Sequence, residues 1–146
     1  DGVLFTDNLS GTLNVTTEKM DIDIKANSLV ATISAKNATV NYMSKGGKLI
    51  LNNTSGNNKI NVVAYTELEV QTTSGDIHVL LPKTIDCNLY ISTIKRPIIM
   101  NLEEVLFKGN ITSNLVKGAM GKGGGEIKIS TQTGDLSLSN AVMLGK

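Results

Sequence analysis

His78 is the one imidazole in the chain. It lies two residues after Asp76, so on an extended strand both side chains leave the same face, with Ser74 close by in sequence. A serine, a histidine and an acid suggest nucleophilic catalysis, but that chemistry also needs a strained nucleophile turn and donors for an oxyanion. The segment around Ser74, "TTSGD", does not have the G-x-S-x-G form, so His78 reads as a solvent-facing strand histidine. Asp76 and Asp135 each follow a turn glycine, where a carboxylate can accept a local backbone N–H. As calcium ligands they would need several more oxygens converging on them, and the RTX nonapeptide pattern is not present.

Asp21 with Asp23, and Glu67 with Glu69, share outward faces, and Glu103 adjoins Glu104. Paired carboxylates could serve glycoside hydrolysis, yet these pairs do not recur along one face, and a charged surface that discourages edge pairing accounts for them. Cys87 is the single cysteine, which excludes an internal disulfide and any multi-cysteine zinc site. It stands in the alternating run "DCNLYIS" as a small, half-buried strand residue. The segment "KGAMGKGGGE" contains Gly121-Lys122, but no Ser or Thr follows the lysine and a strand follows the loop, so it reads as a flexible corner rather than a phosphate cradle. Asn-x-Ser/Thr triplets include those that start at Asn14, Asn37, Asn52, Asn53 and Asn110, in a chain so rich in these residues that several are expected by chance. The expectation is therefore no catalytic residues, no metal site and no cofactor.

The elements that must carry these residues are short runs with period-two alternation, among them "MDIDI", "ATVNY", "KLIL", "KINV", "ELEV", "DIHV", "NLYI", "EIKI" and "DLSL". Each reads as a half-buried strand. The stretch nearest to a helix is "NLEEVLF" (101–107). The first inward residue of successive runs falls at Leu13, Ile22, Val30, Val40, Leu49, Ile60, Leu68, Ile77, Leu89 and Ile98, in steps of 8 to 12 residues with a mean near nine or ten. Such spacing fits an antiparallel β-sandwich or a solenoid whose coils hold two or three strands.

Two features favour the solenoid. A Ser/Thr-Gly turn followed by an alternating strand recurs in "LSGTLNV", "TSGNNKINV", "TSGDIHV" and "QTGDLSL", with 19 residues from Gly56 to Gly75. The hairpin dipeptides that join antiparallel neighbours are scarce between the runs. The predicted fold is all-β: a single-domain, right-handed parallel β-helix or β-solenoid-like stack over residues 1–146, with a glycine of positive φ at each corner. The chain begins at Asp1, so a mature part or fragment of a longer precursor is expected. The palette agrees: 40% hydrophobic, 18% charged, five aromatics and no Trp suit a narrow aliphatic interior.

The runs "TTSGDIHVLLP" (72–82), "DCNLYIST" (86–93) and "GKGGGEIKISTQTGDLSLS" (121–139) resemble the bacterial adhesin-like family of unknown function DUF4097, with its T-x-S-G-D-I-x-V units and following Leu-Pro. The resemblance spans roughly 45–140. Arg96-Pro97 stands where that family more often shows Ser-Gly or Asn-Gly, and Gly56-Asn57-Asn58 lengthens one unit. The resemblance implies an all-β solenoid-like stack and an adhesin label.

Net charge is +1, too small a field for nucleic acid, and no apolar stretch is long enough for a spanning helix. The leading expectation is a non-enzymatic adhesin or interaction module, extracytoplasmic or cell-envelope associated, binding an unknown protein or glycan at the cell surface and open to self-association through its end coils. Two alternatives from other classes are a regulatory or sensory domain in an envelope-stress system and a carbohydrate-active β-helix enzyme. The latter requires acids to meet in one groove.

Overall fold

The computed structural model describes residues 2–63, 67–82, 86–101, 107–120, 122 and 124–140. In chain order the strands are β1 (Val3–Ser44), β2 (Gly47–Ser55), β3 (Asn58–Val62), β4 (Glu67–Thr72), β5 (Ile77–Leu81), β6 (Cys87–Thr93), β7 (Ile98–Asn101), β8 (Phe107–Ile111), β9 (Leu115–Met120), β10 (Gly125–Thr131) and β11 (Leu136–Asn140). They form one curled sheet in the order β7-β11-β5-β3-β1-β2-β4-β10-β6-β9-β8.

The centre of that order explains its shape. At about 3.3 Å per residue, the 42 residues of β1 would reach roughly 140 Å if straight. Instead β1 winds on itself: the Asp21 amide donates to the Gly2 carbonyl at 2.9 Å, and the Lys45 amide to the Ala26 carbonyl at 3.1 Å. Residues 29–37 of β1 then pair in parallel with β2, and residues 40–44 with β3. The sheet is thereby folded into two faces, β1-β2-β4-β10-β6-β9-β8 and β1-β3-β5-β11-β7, and each coil lends one strand to each. The fold is all-β and solenoid-like, and its coil pairings are parallel ladders rather than those of an antiparallel sandwich.

Alternation fills the interior. Leu29, Ala31, Ile33, Leu49, Leu51, Leu68 and Val70 point inward from one face; Val40, Ile60, Ile77, Val79, Leu136 and Leu138 do so from the other, and all are buried. Each large aliphatic contributes about 1.5–3 kcal/mol by leaving water. Seven of the ten predicted inward positions are buried, and Leu13 and Ile98 are partly so. Val30 is a correction: it is 46% exposed, because in "LVATI" the inward register belongs to Leu29, Ala31 and Ile33. Cys87 is fully buried rather than half-buried.

Two further features depart from expectation. The coils are not stacked in chain order. β10 pairs with β4 on one side and β6 on the other, while β11 pairs with β5 and β7, so coil 125–140 is inserted between coils 67–81 and 87–101. β9 pairs antiparallel with both β6 and β8. A hairpin thus closes that end of the first face, its turn held by the Leu115 amide donating to the Thr112 hydroxyl at 3.0 Å. The candidate helix in "NLEEVLF" falls on residues 102–106, outside the described residues; among the described residues there is no helix.

The corner glycines behave differently from one another. Gly56 has φ +105°, as the turn reading required. Gly75 and Gly134 do not have positive φ; they are demanded by proximity, since a Cβ at Gly75 would overlap the Gly56 carbonyl oxygen and one at Gly134 the Gly75 carbonyl oxygen. Corners of successive coils therefore nest backbone against backbone. Arg96 occupies the equivalent position of the last coil, two residues before Ile98, the partner of Leu136.

A polar groove across four coils

Just inside these corners runs a ladder of inward polar side chains, Asn53, Thr72, Thr131 and Thr93, in register on adjacent strands and all buried. Burial of such groups is tolerated only when they are bonded, and these are. Asn53 Nδ2 donates to the Ala38 carbonyl at 2.8 Å and to Asn58 Oδ1 at 2.9 Å, and the Ala38 amide donates to Asn53 Oδ1 at 3.1 Å. The Thr72 hydroxyl is bonded to Thr131 at 2.8 Å and to the Gly75 carbonyl at 3.0 Å. The network fixes the strand ends where they bend from one face to the other.

Outside that wall lies a groove of about 720 Å³. One row along it is Thr16, Ser34, Asn52 and Gln71, the last three directly in register. A second row is Glu18, Lys36, Thr54 and Thr73. Both rows are exposed. At the strand spacing of about 4.8 Å, four coils present these groups over roughly 14 Å. The only charges in the lining, Glu18 and Lys36, face each other at 3.9 Å. The groove is therefore a neutral, rigid array of hydroxyls and amides with a fixed repeat.

The residues singled out from the sequence are distributed elsewhere. His78 Nδ1 is in hydrogen-bond contact with the hydroxyl of Ser137, its partner across the β5–β11 ladder, and not with Ser74. β5 and β11 each lie between two parallel neighbours that engage their backbone amides. Asp76 accepts the Asp135 amide at 2.9 Å, a bond from the neighbouring coil and not from its own turn, and Asp135 pairs with Arg96. Asp23 lies beside Asn41 and Lys59 of the second face, whereas Glu67 and Glu69 lie on β4 of the first, Glu67 being 3.8 Å from Lys48. Glu103 and Glu104 lie outside the described residues. Lys122 sits in a turn, where its amide donates to Asp86 at 2.9 Å. Asn53 is too buried to carry a glycan, while Asn14, Asn37, Asn52 and Asn110 are exposed.

Burial pushes the Cys87 thiol up to about 11, with Asp86 adding to the effect, which disfavours the reactive thiolate. Burial likewise raises Tyr42 to about 12, and its hydroxyl is sealed in without a hydrogen-bond partner. Reactive residue types do not mark the groove; the signal in the sequence is polar residues recurring every 18 or 19 positions, at Thr16, Ser34, Asn52 and Gln71.

No family model matches the chain, DUF4097 included, and no curated protein matches it either. Among solved structures, one described as a putative cell adhesion protein from Clostridium sporogenes ATCC 15579 is similar over 96% of this chain and 92% of that chain, at 14% identity and a TM-score of 0.31. So loose a superposition leaves the functional reading to the chain's own residues.

Proposed function

We propose that this chain is a non-enzymatic interaction module of the cell envelope or surface, one solenoid unit that holds an extended, uncharged glycan strand in the groove across its coils. The observation that carries the reading is the in-register row Ser34–Asn52–Gln71 on a wall locked by buried hydrogen bonds. Hydroxyls and amides at a fixed repeat match a ligand that is itself a repeat of hydroxyls. Because the wall is already ordered, little entropy is lost on binding.

A glycan array probed with the full chain is expected to show retention of neutral oligosaccharides, lost in Asn52→Leu and Gln71→Leu. Both side chains are exposed, so the melting temperature should hold. Cleavage of the retained sugar, or capture of proteins with no sugar bound, would overturn the proposal.

A further inference from the structure

A second hollow, of about 430 Å³, opens on the same outer face, where the antiparallel hairpin joins the stack. Its centre is Tyr90, 46% exposed on β6. Cross-strand register places Lys128 of β10 on one side of that ring and Lys117 of β9 on the other. The Lys117 ammonium lies 5.9 Å from the ring centroid, within cation–π range. In the next row Lys108 of β8 lies across from Ala119, whose small side chain keeps the hollow open. The one acid in the lining, Glu126, is 3.2 Å from Lys128, which leaves an excess of positive charge around an aromatic face. Asn88 is fixed by donating to the Gly124 carbonyl at 3.0 Å, so its carbonyl oxygen remains as an acceptor.

We propose that this hollow binds an anionic sugar ring, one bearing a carboxylate or a sulfate. Tyr90 stacks on the apolar face of the pyranose, Lys117 and Lys128 hold the anionic group, Lys108 reaches a second one along the chain, and Asn88 accepts a ring hydroxyl. The volume lies within the roughly 300–1,000 Å³ of small-molecule sites. Three lysines around a single ring favour a sugar over a nucleic acid, which calls for a longer basic stripe with several stacking residues. The site shares no lining residue with the groove across the four coils and does not depend on the reading of that groove.

Titration calorimetry on the full chain tests it with four probes: a galacturonate hexamer, a heparin-derived hexasaccharide, neutral maltohexaose and an oligothymidylate. At least one acidic oligosaccharide is expected to bind, more weakly as salt rises; binding of the galacturonate hexamer shows that a carboxylate suffices, and binding of the heparin fragment alone shows that sulfate is required. Tyr90→Ala and Lys117→Gln should each weaken that binding by roughly tenfold or more, Tyr90→Phe should preserve it, and Lys36→Gln in the groove should leave it unchanged. Unaltered melting temperatures verify that the variants fold. Equal affinity for maltohexaose at the same site, indifference to Tyr90→Ala, or tighter binding of the oligothymidylate would each overturn the proposal. Loss of neutral-glycan binding in the groove variants alone would leave it standing, so the two readings fail separately.

Discussion

The middle coils and the hairpin end obey different rules. In the middle, coils 47–62, 67–81 and 125–140 stack in parallel with glycine corners in backbone contact, and the groove that crosses the first two of them is lined mainly by hydroxyls and amides. At the end, pairing turns antiparallel, the corner glycine is replaced by Arg96, and the surface carries exposed Ile94, Ile99 and Ile111 as well as the Tyr90–lysine hollow. Along the groove, parallel stacking sets side chains of one kind in register, Ser34, Asn52 and Gln71. Such a region can present a repeated motif but cannot easily gather unlike groups. The hairpin breaks the repeat and brings lysines from β8, β9 and β10 around one ring. The stack supplies rigidity and periodicity; its irregular end supplies diversity of chemistry.

The comparison can be broken by substitution. Ile77→Asp puts a carboxylate into the middle of the stack at a position 1% exposed, and is expected to cost roughly 4 kcal/mol or more. Asn57→Asp at the exposed corner should cost almost nothing. Chemical denaturation of both reads the contrast, and equal midpoints would refute the inward assignment. Gly75→Ala should follow in size, at about 1–3 kcal/mol, since the added Cβ would overlap the Gly56 carbonyl oxygen, which is backbone and cannot swing aside. A melting temperature within a degree of the parent would disprove the nested corner.

Alkaline pH probes the interior more gently. Tyr42 and Cys87 are held neutral in the folded chain to about 12 and about 11, against ordinary values of 10.0 and 9.0. Between pH 9 and 12 the unfolded chain loses these protons first, so stability should fall across that window and not below it. Tyr42→Phe removes the sealed hydroxyl and is expected to be neutral or stabilising at pH 7, and to flatten the upper part of the decline. A melting curve series against pH measures both. The smallest effect belongs to the end: Arg96→Ala loses only an exposed ion pair with Asp135 and should shift stability by less than about 1 kcal/mol.

What could be read in advance was whatever is local. The alternating runs, the Ser/Thr-Gly corners and the inward phase of most strands depend on neighbours in sequence, and "TSGDIHV" announces its corner and its strand together. Val30 failed because a run with apolar residues on both faces has no unique phase. The β8–β9 turn escaped because a Thr112 hydroxyl replaces the expected Asn-Gly geometry. The pairing of His78 with Ser137, and the convergence of Lys108, Lys117 and Lys128 on Tyr90, are products of which strand lies beside which. No alternation pattern encodes that choice. The neutral groove was legible in the recurrence of polar residues, but only to a search for a repeated surface.

The inserted coil has a consequence for the order of assembly. A ribosome delivers residues 67–101 well before residues 125–140, yet β4 and β6 reach each other only through β10, and β5 reaches β7 only through β11. The early coils can add one upon the next as they emerge, but the segment holding β6 and β7 must wait with one strand edge open until the later coil slides in. The later coil pairs with β4 and β5 across 59 positions of chain and with β6 and β7 across 38; such long-range closures are the slow kind, and this one acts as the keystone without which neither side of the gap is complete.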